Sequence, residues 1–148
     1  MEHQAPASPI EIALDIAVKA HRGQTDLDGL PVILHPLAVA LRGSNEAEIV
    51  VGLLHDVVED TDLTFDDLLR AGIAPEAVDA LRLLTHSDDD DYLDYVKRIA
   101  RSGNATAINV KCNDLDHNIE RGHRGNHLRH VAKHTAARKL IHPVATED

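Results

Sequence analysis

The segment Val50–Asp60, near the middle of the chain, places a histidine and three carboxylates among aliphatic side chains. If it forms one helix, as its length and apolar content predict, His55 lies one turn before Glu59. Asp56 then lies one turn before Asp60, so these groups share a stripe. Burying such a stripe costs free energy unless a cation or a polar pocket compensates its charges. The segment therefore predicts a metal site, the alternative being an amphipathic surface helix with its polar face in water.

Two further segments offer residues of the types that bind metals. His35 stands at a junction between a loop and a helix, and Asp114 lies one turn before Asn118 in a later helix. The candidate metal ligands are two imidazoles and two carboxylates: His35, His55, Asp56 and Asp114. This mixture suits a divalent first-row metal with open positions for water and a substrate oxygen.

The elements that position these residues are predicted to be helices. Aromatic residues make up only 2% of the chain, so the core must consist of Leu, Ile, Val and Ala. Ser8, Asn45, Thr64 and Asn104 are predicted to cap helix starts. The predicted helices run from Pro9 to before Gly23, from Pro36 to Arg42, over Val50–Asp60, from Thr64 to Gly72, from Pro75 to about Leu84, from the acidic run Asp88–Asp91 to about Gly103, from Asn104 to about Glu120, and from His127 to Ile141.

The predicted architecture is all-α, a compact single-domain bundle of six to eight helices. The chain has 148 residues, enough to bury a core without disulfides or structural metals. We predict a domain over residues 8–141, a frayed N-terminus over 1–7 and a tail over 142–148. Residues 122–125 are predicted to form a loop before the final helix.

Charge and composition exclude several classes of function. The net charge of −10 at pH 7 argues against a general nucleic-acid binder, which needs an excess of Lys and Arg. Cys112 is the single cysteine, so no internal disulfide or paired-cysteine metal motif is possible, and we interpret it as a small core residue. No apolar run reaches the length of a membrane span, and we expect a cytoplasmic protein without a membrane partner. The oligomeric state is left open.

The order of His35, His55-Asp56 and Asp114 resembles the signature of the HD superfamily of metal-dependent phosphohydrolases. Between about residues 10 and 120 the surrounding motifs resemble the RelA/SpoT-homologue hydrolase domains. The matching motifs are 20–24 (AHRGQ), 29–31 (GLP), 35–36 (HP), 55–61 (HDVVEDT), 110–114 (VKCND) and 117–118 (HN). This family includes small stand-alone alarmone hydrolases, which use manganese to remove the 3′-pyrophosphate from guanosine tetraphosphate.

The resemblance implies a role for each matching residue. It implies that His35, His55, Asp56 and Asp114 bind the metal and that the metal is Mn²⁺, as in the family. It also implies that Glu59 and Asp60 position or activate the attacking water. A metal lowers the pKa of its bound water, and a nearby carboxylate that is not a ligand can accept the proton. Asn118 is then a contact near the scissile phosphate, and Arg22 and Lys111 are candidate phosphate contacts. The implied substrate is the tetra- or pentaphosphate of guanosine.

The chain departs from the family in one loop. Asp26, Leu27 and Val32 stand where the alarmone hydrolases usually carry Arg, Lys and Tyr. Two alternatives therefore stay open: hydrolysis of another nucleotide or phosphate ester, and a catalytically idle metal-binding regulatory module. The intact Glu59 and Asp60 argue against the idle module, because a metal held only for stability does not require two additional acids.

The last predicted helix is basic and carries histidines at helical spacing: His127, His130 and His134. These residues could bind a metal, but no acid in their own segment would orient them. We interpret this helix as a solvated basic face or as an electrostatic rim for an anionic ligand. His21 either lines the site or forms a hydrogen bond with the backbone at the end of its helix.

Overall fold

A computed structural model describes residues 5–146 of the chain, and within them nine α-helices form the predicted all-α bundle. The helices are α1 (Pro9–Ala20), α2 (Leu34–Leu41), α3 (Glu46–Leu54), α4 (Val57–Asp60), α5 (Phe65–Arg70), α6 (Pro75–Leu83), α7 (Tyr92–Ala100), α8 (Ala105–Arg124) and α9 (Leu128–Arg138). In these residues the only extended pairing is an antiparallel bridge between Thr25 and Pro31. Of the predicted frayed N-terminus (1–7) and tail (142–148), residues 1–4 and 147–148 lie outside the described residues.

The predicted helix caps are confirmed. The Ser8 hydroxyl accepts the Glu11 N–H, and the Glu11 carboxylate accepts the Ser8 N–H, which completes a capping box at α1. Thr64 makes the equivalent reciprocal pair at α5. The side chains of Asn45 and Asn104 accept N–H groups at the starts of α3 and α8. Local side-chain chemistry therefore determines where these four helices begin.

The prediction of one helix over Val50–Asp60 is wrong, because the segment bends at His55 and Asp56. Helix α3 ends at Leu54, and α4 begins at Val57. The Gly52 carbonyl accepts a hydrogen bond from Nδ1–H of His55 at 2.6 Å, so the last turn of α3 is satisfied without continuing into a regular helix. The predicted single stripe is therefore divided between the two residues of this bend, His55 and Asp56, and helix α4, which carries Glu59 and Asp60.

Three other boundaries also differ from the predictions. Helix α2 begins at Leu34, so His35 lies in its first turn and not before it. Helix α8 continues to Arg124, which places Gly122 inside a helix and not in the predicted loop. Helix α9 ends at Arg138, three residues before the predicted end. Leu140 N–H then bonds the carbonyl of Ala137, closing the last turn.

Helix α3 is the centre of the core and packs against α1, α2, α6 and α8. Its residues Val51, Leu53 and Leu54 are fully buried. Helix α8, which carries Asp114, packs against α9, α3 and α2, so it is in direct contact with the helix that carries His35 and with the helix that His55 follows. In the described chain no helix combines the length and apolarity needed to cross a bilayer.

A buried polar cross-link joins α3, α8 and the C-terminal segment. The Glu48 carboxylate is buried and accepts hydrogen bonds from the Ser44 N–H and the Asn109 amide. Asn109 also donates to the Val144 carbonyl at 2.9 Å and accepts its N–H at 2.7 Å. The described part of the predicted tail is therefore attached to α8 at Val144. Because these groups are paired, their burial does not leave an unsatisfied charge.

Gly52 allows α2 and α3 to approach closely at the level of the candidate ligands. A Cβ atom on Gly52 would lie 3.0 Å from the Ala40 Cα and 3.1 Å from the Ala40 N, both backbone atoms that cannot move aside. We expect Gly52→Ala to lower the free energy of unfolding by about 1–3 kcal/mol through this overpacking. Chemical denaturation of the purified variant measures the change. Ala47→Ser, at an exposed position of the same helix, is the control and should cost less than about 0.7 kcal/mol. An unchanged midpoint for Gly52→Ala would contradict the close approach.

Candidate metal centre

Three buried side chains from three helices converge on one point. His35 comes from the first turn of α2, His55 follows the end of α3, and Asp114 lies in α8. One ligand atom from each lies within 4.8 Å of the others. The Nε2 atom of His35 is 2.8 Å from Asp114 Oδ1, and Nε2 of His55 is 3.3 Å from the same oxygen. The structure therefore brings together residues that are up to 79 positions apart in sequence.

Asp56 completes the predicted set from the bend between α3 and α4. Its Oδ2 atom is 3.1 Å from Nε2 of His55 and 3.9 Å from Nε2 of His35. Its side chain is 27% exposed, so it stands at the open side of the group. Burial raises the pKa of Asp56, but the neighbouring His55 outweighs burial and holds this pKa at about 2. Asp56 is therefore an anion at neutral pH.

The hydrogen bonds and the pKa of His55 indicate whether a cation fits among the candidate ligands. Nδ1 of His55 must donate its proton, because its partner is the Gly52 carbonyl. Nε2 is then directed at Asp56 and Asp114 but makes no hydrogen bond of its own among the described residues. Burial lowers the pKa of His55, yet the two carboxylates outweigh it and hold this pKa well above its usual value. Positive charge is thus stabilised between this imidazole and the carboxylates, and a divalent metal ion bound there would supply it.

His117 contacts His35 at Nδ1, the ring nitrogen that does not contact Asp114. The two Nδ1 atoms lie 2.7 Å apart, so one nitrogen donates and the other accepts. Burial and the adjacent His35 lower the pKa of His117 to about 4, which keeps its ring neutral. A neutral His117 can accept the Nδ1 proton of His35 and leave Nε2 of His35 free to bind a metal. His117 acts here as an outer partner that orients a ligand.

Asp114 is held by two more residues of α8. Lys111, although predicted as a phosphate contact, is buried and donates to Asp114 Oδ2 at 2.9 Å. Burial opposes the charge on Lys111, but Asp114 outweighs this effect and raises the pKa of the lysine. The Asn118 amide donates to Asp114 Oδ1 at 3.0 Å. These bonds leave the Asp114 carboxylate little freedom to rotate.

Glu59 and Asp60 lie on α4, beside the candidate ligands and not among them. Oε1 of Glu59 is 2.9 Å from Nδ1 of His86, a residue of the loop before α7. Burial, with the Asp56 and Asp60 carboxylates, raises the pKa of Glu59 to about 7. Burial and Asp56 also raise the pKa of Asp60. A carboxylate that titrates near neutrality is suited to accept and release protons at physiological pH.

Two cavities open beside this group and share part of their walls. The loop-side cavity, about 690 Å³, is bounded by residues of the 25–32 loop, including Asp26, Leu27 and Val32. The tyrosine-side cavity, about 480 Å³, is bounded by Glu59, His86, Tyr92 and Tyr95. The residues that line both are His35, Asp56, Asp60, Asn118, Arg121, His130 and His134. His35 and Asp56 thus stand where the two cavities meet, and His55 and Asp114 line the tyrosine-side cavity.

The remaining predicted residues differ in their positions. Asn118 lines both cavities, as expected for a substrate contact. Arg22 is exposed and lines neither of them. His21 is buried, with Nδ1 3.0 Å from the Gln24 side-chain oxygen, and lines neither cavity. Cys112 is buried, and burial raises the pKa of its thiol to about 11, which agrees with a core residue and not with a nucleophile.

The histidines of the last helix face the cavities. His130 and His134 line both of them, with ring centroids 6.2 Å apart. Nε2 of His127 is 2.8 Å from an oxygen of Asp28, which ties the start of α9 to the 25–32 loop. Among the described residues these histidines are outside the one group that could hold a metal. The interpretation as a rim for an anionic ligand fits this placement better than a solvated face.

Sequence reasoning gave no role in the site to His117, Arg121 or His86. A signal existed for the first two, because His117 is three residues and Arg121 seven residues after Asp114, the spacing of one helical face. No sequence signal connects His86 with Glu59, since their contact depends on how α4 packs near the start of α7.

Known proteins share parts of this sequence. No protein-family model matches the chain. A guanosine-3′,5′-bis(diphosphate) 3′-pyrophosphohydrolase of Aquifex aeolicus is 39% identical over 66 residues, covering 42% of this chain and 10% of the relative. A GTP pyrophosphokinase of Streptomyces coelicolor is 48% identical over 65 residues, 41% of this chain and 8% of the relative. The chain therefore spans about a tenth or less of the length of these curated relatives, and their names state different reactions.

The fold has a solved counterpart. The structure of a metazoan orthologue of SpoT that hydrolyses ppGpp matches with a TM-score of 0.68 and 24% identity, over 80% of this chain and 72% of that one. This likeness establishes the fold. The shared sequence segments make part of the chain similar to GTP pyrophosphokinases and to guanosine-3′,5′-bis(diphosphate) 3′-pyrophosphohydrolases.

Proposed function

We propose that the chain is a metal-dependent phosphohydrolase that removes the 3′-pyrophosphate from guanosine tetraphosphate or pentaphosphate. The observation that carries the proposal is the convergence of His35, His55 and Asp114 at the wall of the tyrosine-side cavity, with Glu59 and Asp60 beside them. The names of the curated pyrophosphohydrolases and of the structural counterpart support the substrate. Manganese is the proposed metal, and a cytoplasmic location stays a prediction.

His35, His55, Asp56 and Asp114 would hold the metal in this reaction. A bound divalent ion makes a water more acidic and polarises a phosphoryl oxygen. Glu59 accepts the proton that the attacking water loses, because its pKa of about 7 allows it to be ionised before attack and protonated after it. The water oxygen forms a bond to phosphorus, the bond between phosphorus and the ribose 3′-oxygen breaks, and that oxygen takes up a proton.

The charge of the site makes substrate binding depend on the metal. The tyrosine-side cavity is lined by the acids Asp56, Glu59, Asp60 and Asp114 and by the cations Lys111, Arg121 and Lys133. The acids outnumber the cations, and the whole chain carries a net charge of −10. Without a divalent ion the acids offset the cations of this cavity, so a bound divalent ion would add much of the positive charge that attracts a phosphate group.

The decisive test is incubation of the purified protein with guanosine tetraphosphate and manganese. We expect equimolar guanosine diphosphate and pyrophosphate, separated by ion-exchange chromatography, and no products after chelation with EDTA. The loss with EDTA should reverse when manganese is restored, which separates metal removal from unfolding.

A second candidate, hydrolysis of another nucleotide, is favoured by one observation. Asp26, Leu27 and Val32 line the loop-side cavity, where the alarmone hydrolases usually carry two cations and a ring. A panel of nucleotides and phosphate esters assayed beside the alarmone distinguishes the candidates. Turnover of another compound with none of the alarmone would replace the proposed substrate. Stoichiometric metal with no turnover of any compound would favour the idle regulatory module.

A further inference from the structure

Three lysine and arginine side chains line the two cavities: Lys111, Arg121 and Lys133. Lys111 is already bonded to the Asp114 carboxylate. It is not free to neutralise an incoming phosphate without losing this partner. The group that recognises phosphate must therefore be sought among cations that have no such partner.

Arg121 and Lys133 fit this description on neighbouring helices. Arg121, on α8, lines both cavities, and Lys133, on α9, lines the tyrosine-side cavity. No carboxylate of residues 5–146 lies within ion-pair distance of either side chain. The Lys133 ammonium instead lies 4.3 Å from the centroid of the Tyr92 ring, a contact that holds it at the cavity wall.

Arg121 is also held in place by a chain of hydrogen bonds from the candidate metal ligands. Asp114 accepts from the Asn118 amide at 3.0 Å, and the Asn118 oxygen accepts from Nε of Arg121 at 2.8 Å. This arrangement uses one N–H of the guanidinium and leaves the terminal nitrogens available. A guanidinium fixed in this way can bind a phosphate through two parallel hydrogen bonds.

We infer that Arg121, assisted by Lys133, binds the phosphate groups of the substrate and takes over the role that two loop cations have in the related hydrolases. This inference rests on the proposed function for the identity of the substrate, but not for its phosphate chemistry. The 25–32 loop supplies the acids Asp26 and Asp28 and no cation to the loop-side cavity. The phosphates therefore occupy the tyrosine-side cavity, and the uncharged nucleoside part occupies the loop-side cavity.

The first experiment measures binding without turnover. Protein loaded with one equivalent of manganese and freed of excess metal is titrated calorimetrically with inorganic pyrophosphate, and its metal content is measured afterwards. Arg121→Gln should weaken binding about 10- to 100-fold, as loss of a charged hydrogen-bonding partner does. Lys133→Gln should have a smaller effect, because its ammonium is exposed. Arg124→Gln and Lys139→Gln, exposed positions of the chain that line neither cavity, should bind like the wild type.

Arg121→Lys separates phosphate binding from a structural role. Lysine keeps the positive charge but cannot reproduce the bond from Nε of Arg121 to Asn118 together with a contact to phosphate. If Arg121 binds phosphate, the lysine variant, which keeps the charge but not the two parallel hydrogen bonds, loses less affinity than the glutamine variant. If both variants lose pyrophosphate affinity equally while their metal content is normal, Arg121 only positions Asn118, and the inference is overturned.

Failure of this inference is distinguishable from failure of the proposed function. Loss of pyrophosphate affinity in Arg121→Gln, in a protein that does not hydrolyse the alarmone, would support phosphate binding and reject that substrate. Normal hydrolysis of the alarmone by Arg121→Gln, with unchanged KM and unchanged pyrophosphate affinity, would support the function and reject the role of Arg121.

Discussion

His55→Ala is expected to abolish both metal binding and hydrolysis. The variant removes the nitrogen that is directed at Asp56 and Asp114 and has no hydrogen bond of its own. Loss of a residue that merely orients a metal ligand costs about 10- to 100-fold in affinity or activity, so loss of a ligand should cost at least about 100-fold. Metal content measured by elemental analysis should fall from about one equivalent to near zero after dialysis.

Two additional variants make this result interpretable. His123→Ala changes a histidine on α8 that is exposed and lines neither cavity, so it should retain metal and activity. Asp56→Asn preserves the shape of a ligand at the open side of the site while removing its charge, and should lose metal without unfolding. Wild-type metal content in both His55→Ala and Asp56→Asn would show that these residues do not form the metal site.

Glu59→Gln is expected to lower kcat by about 10²- to 10⁴-fold while metal content stays normal. The change keeps the size of the side chain but removes the group that accepts the proton from the attacking water. Steady-state kinetics on the metal-loaded variant measures the loss. Glu76→Gln, exposed in the first turn of α6, is the matched control and should keep the wild-type rate. A Glu59→Gln enzyme with wild-type kcat would remove Glu59 from the proton transfer.

The same substitution has an expected effect on stability of the metal-free protein. Burial and the carboxylates of Asp56 and Asp60 raise the pKa of Glu59 from its usual 4.5 to about 7. Between these values the folded chain holds a proton that the unfolded chain releases, so this group makes stability fall as pH rises from about 4.5 to 7. The Glu59→Gln variant has no carboxyl group that titrates at this position. The difference between its free energy of unfolding and that of the wild type should therefore rise from about pH 4.5 to about pH 7. An equal pH dependence in denaturation experiments on the two proteins would contradict the raised pKa.

Much of the fold was predictable because its determinants are local. Ser8, Thr64 and Asn104 begin helices through hydrogen bonds to residues three positions away, and such spacings are visible in a sequence. The scarcity of aromatic residues correctly indicated an aliphatic helical core. The ligand types at His35, His55 and Asp114 were also visible, but their approach to within 4.8 Å depends on the packing of α2, α3 and α8.

What the sequence did not predict depends on tertiary structure. The residue composition of this segment does not indicate the bend at His55. The bend is accompanied by a hydrogen bond from the His55 side chain to the Gly52 carbonyl, which only the structure shows. Lys111 and Arg121 are both cations of α8, yet packing places the first on Asp114 and leaves the second at the cavity wall. The roles of these two residues could be distinguished only once their neighbours were known.

The bend between α3 and α4 also adds an electrostatic contribution that no single side chain makes. Because α3 stops at Leu54, its terminal carbonyl end faces the candidate ligands, and the aligned peptide dipoles of the helix direct partial negative charge there. A cation at the ligand atoms gains about 0.3–1 kcal/mol from such a helix end, in addition to its attraction to Asp56 and Asp114. The backbone of the most buried helix thus helps to select a positively charged occupant.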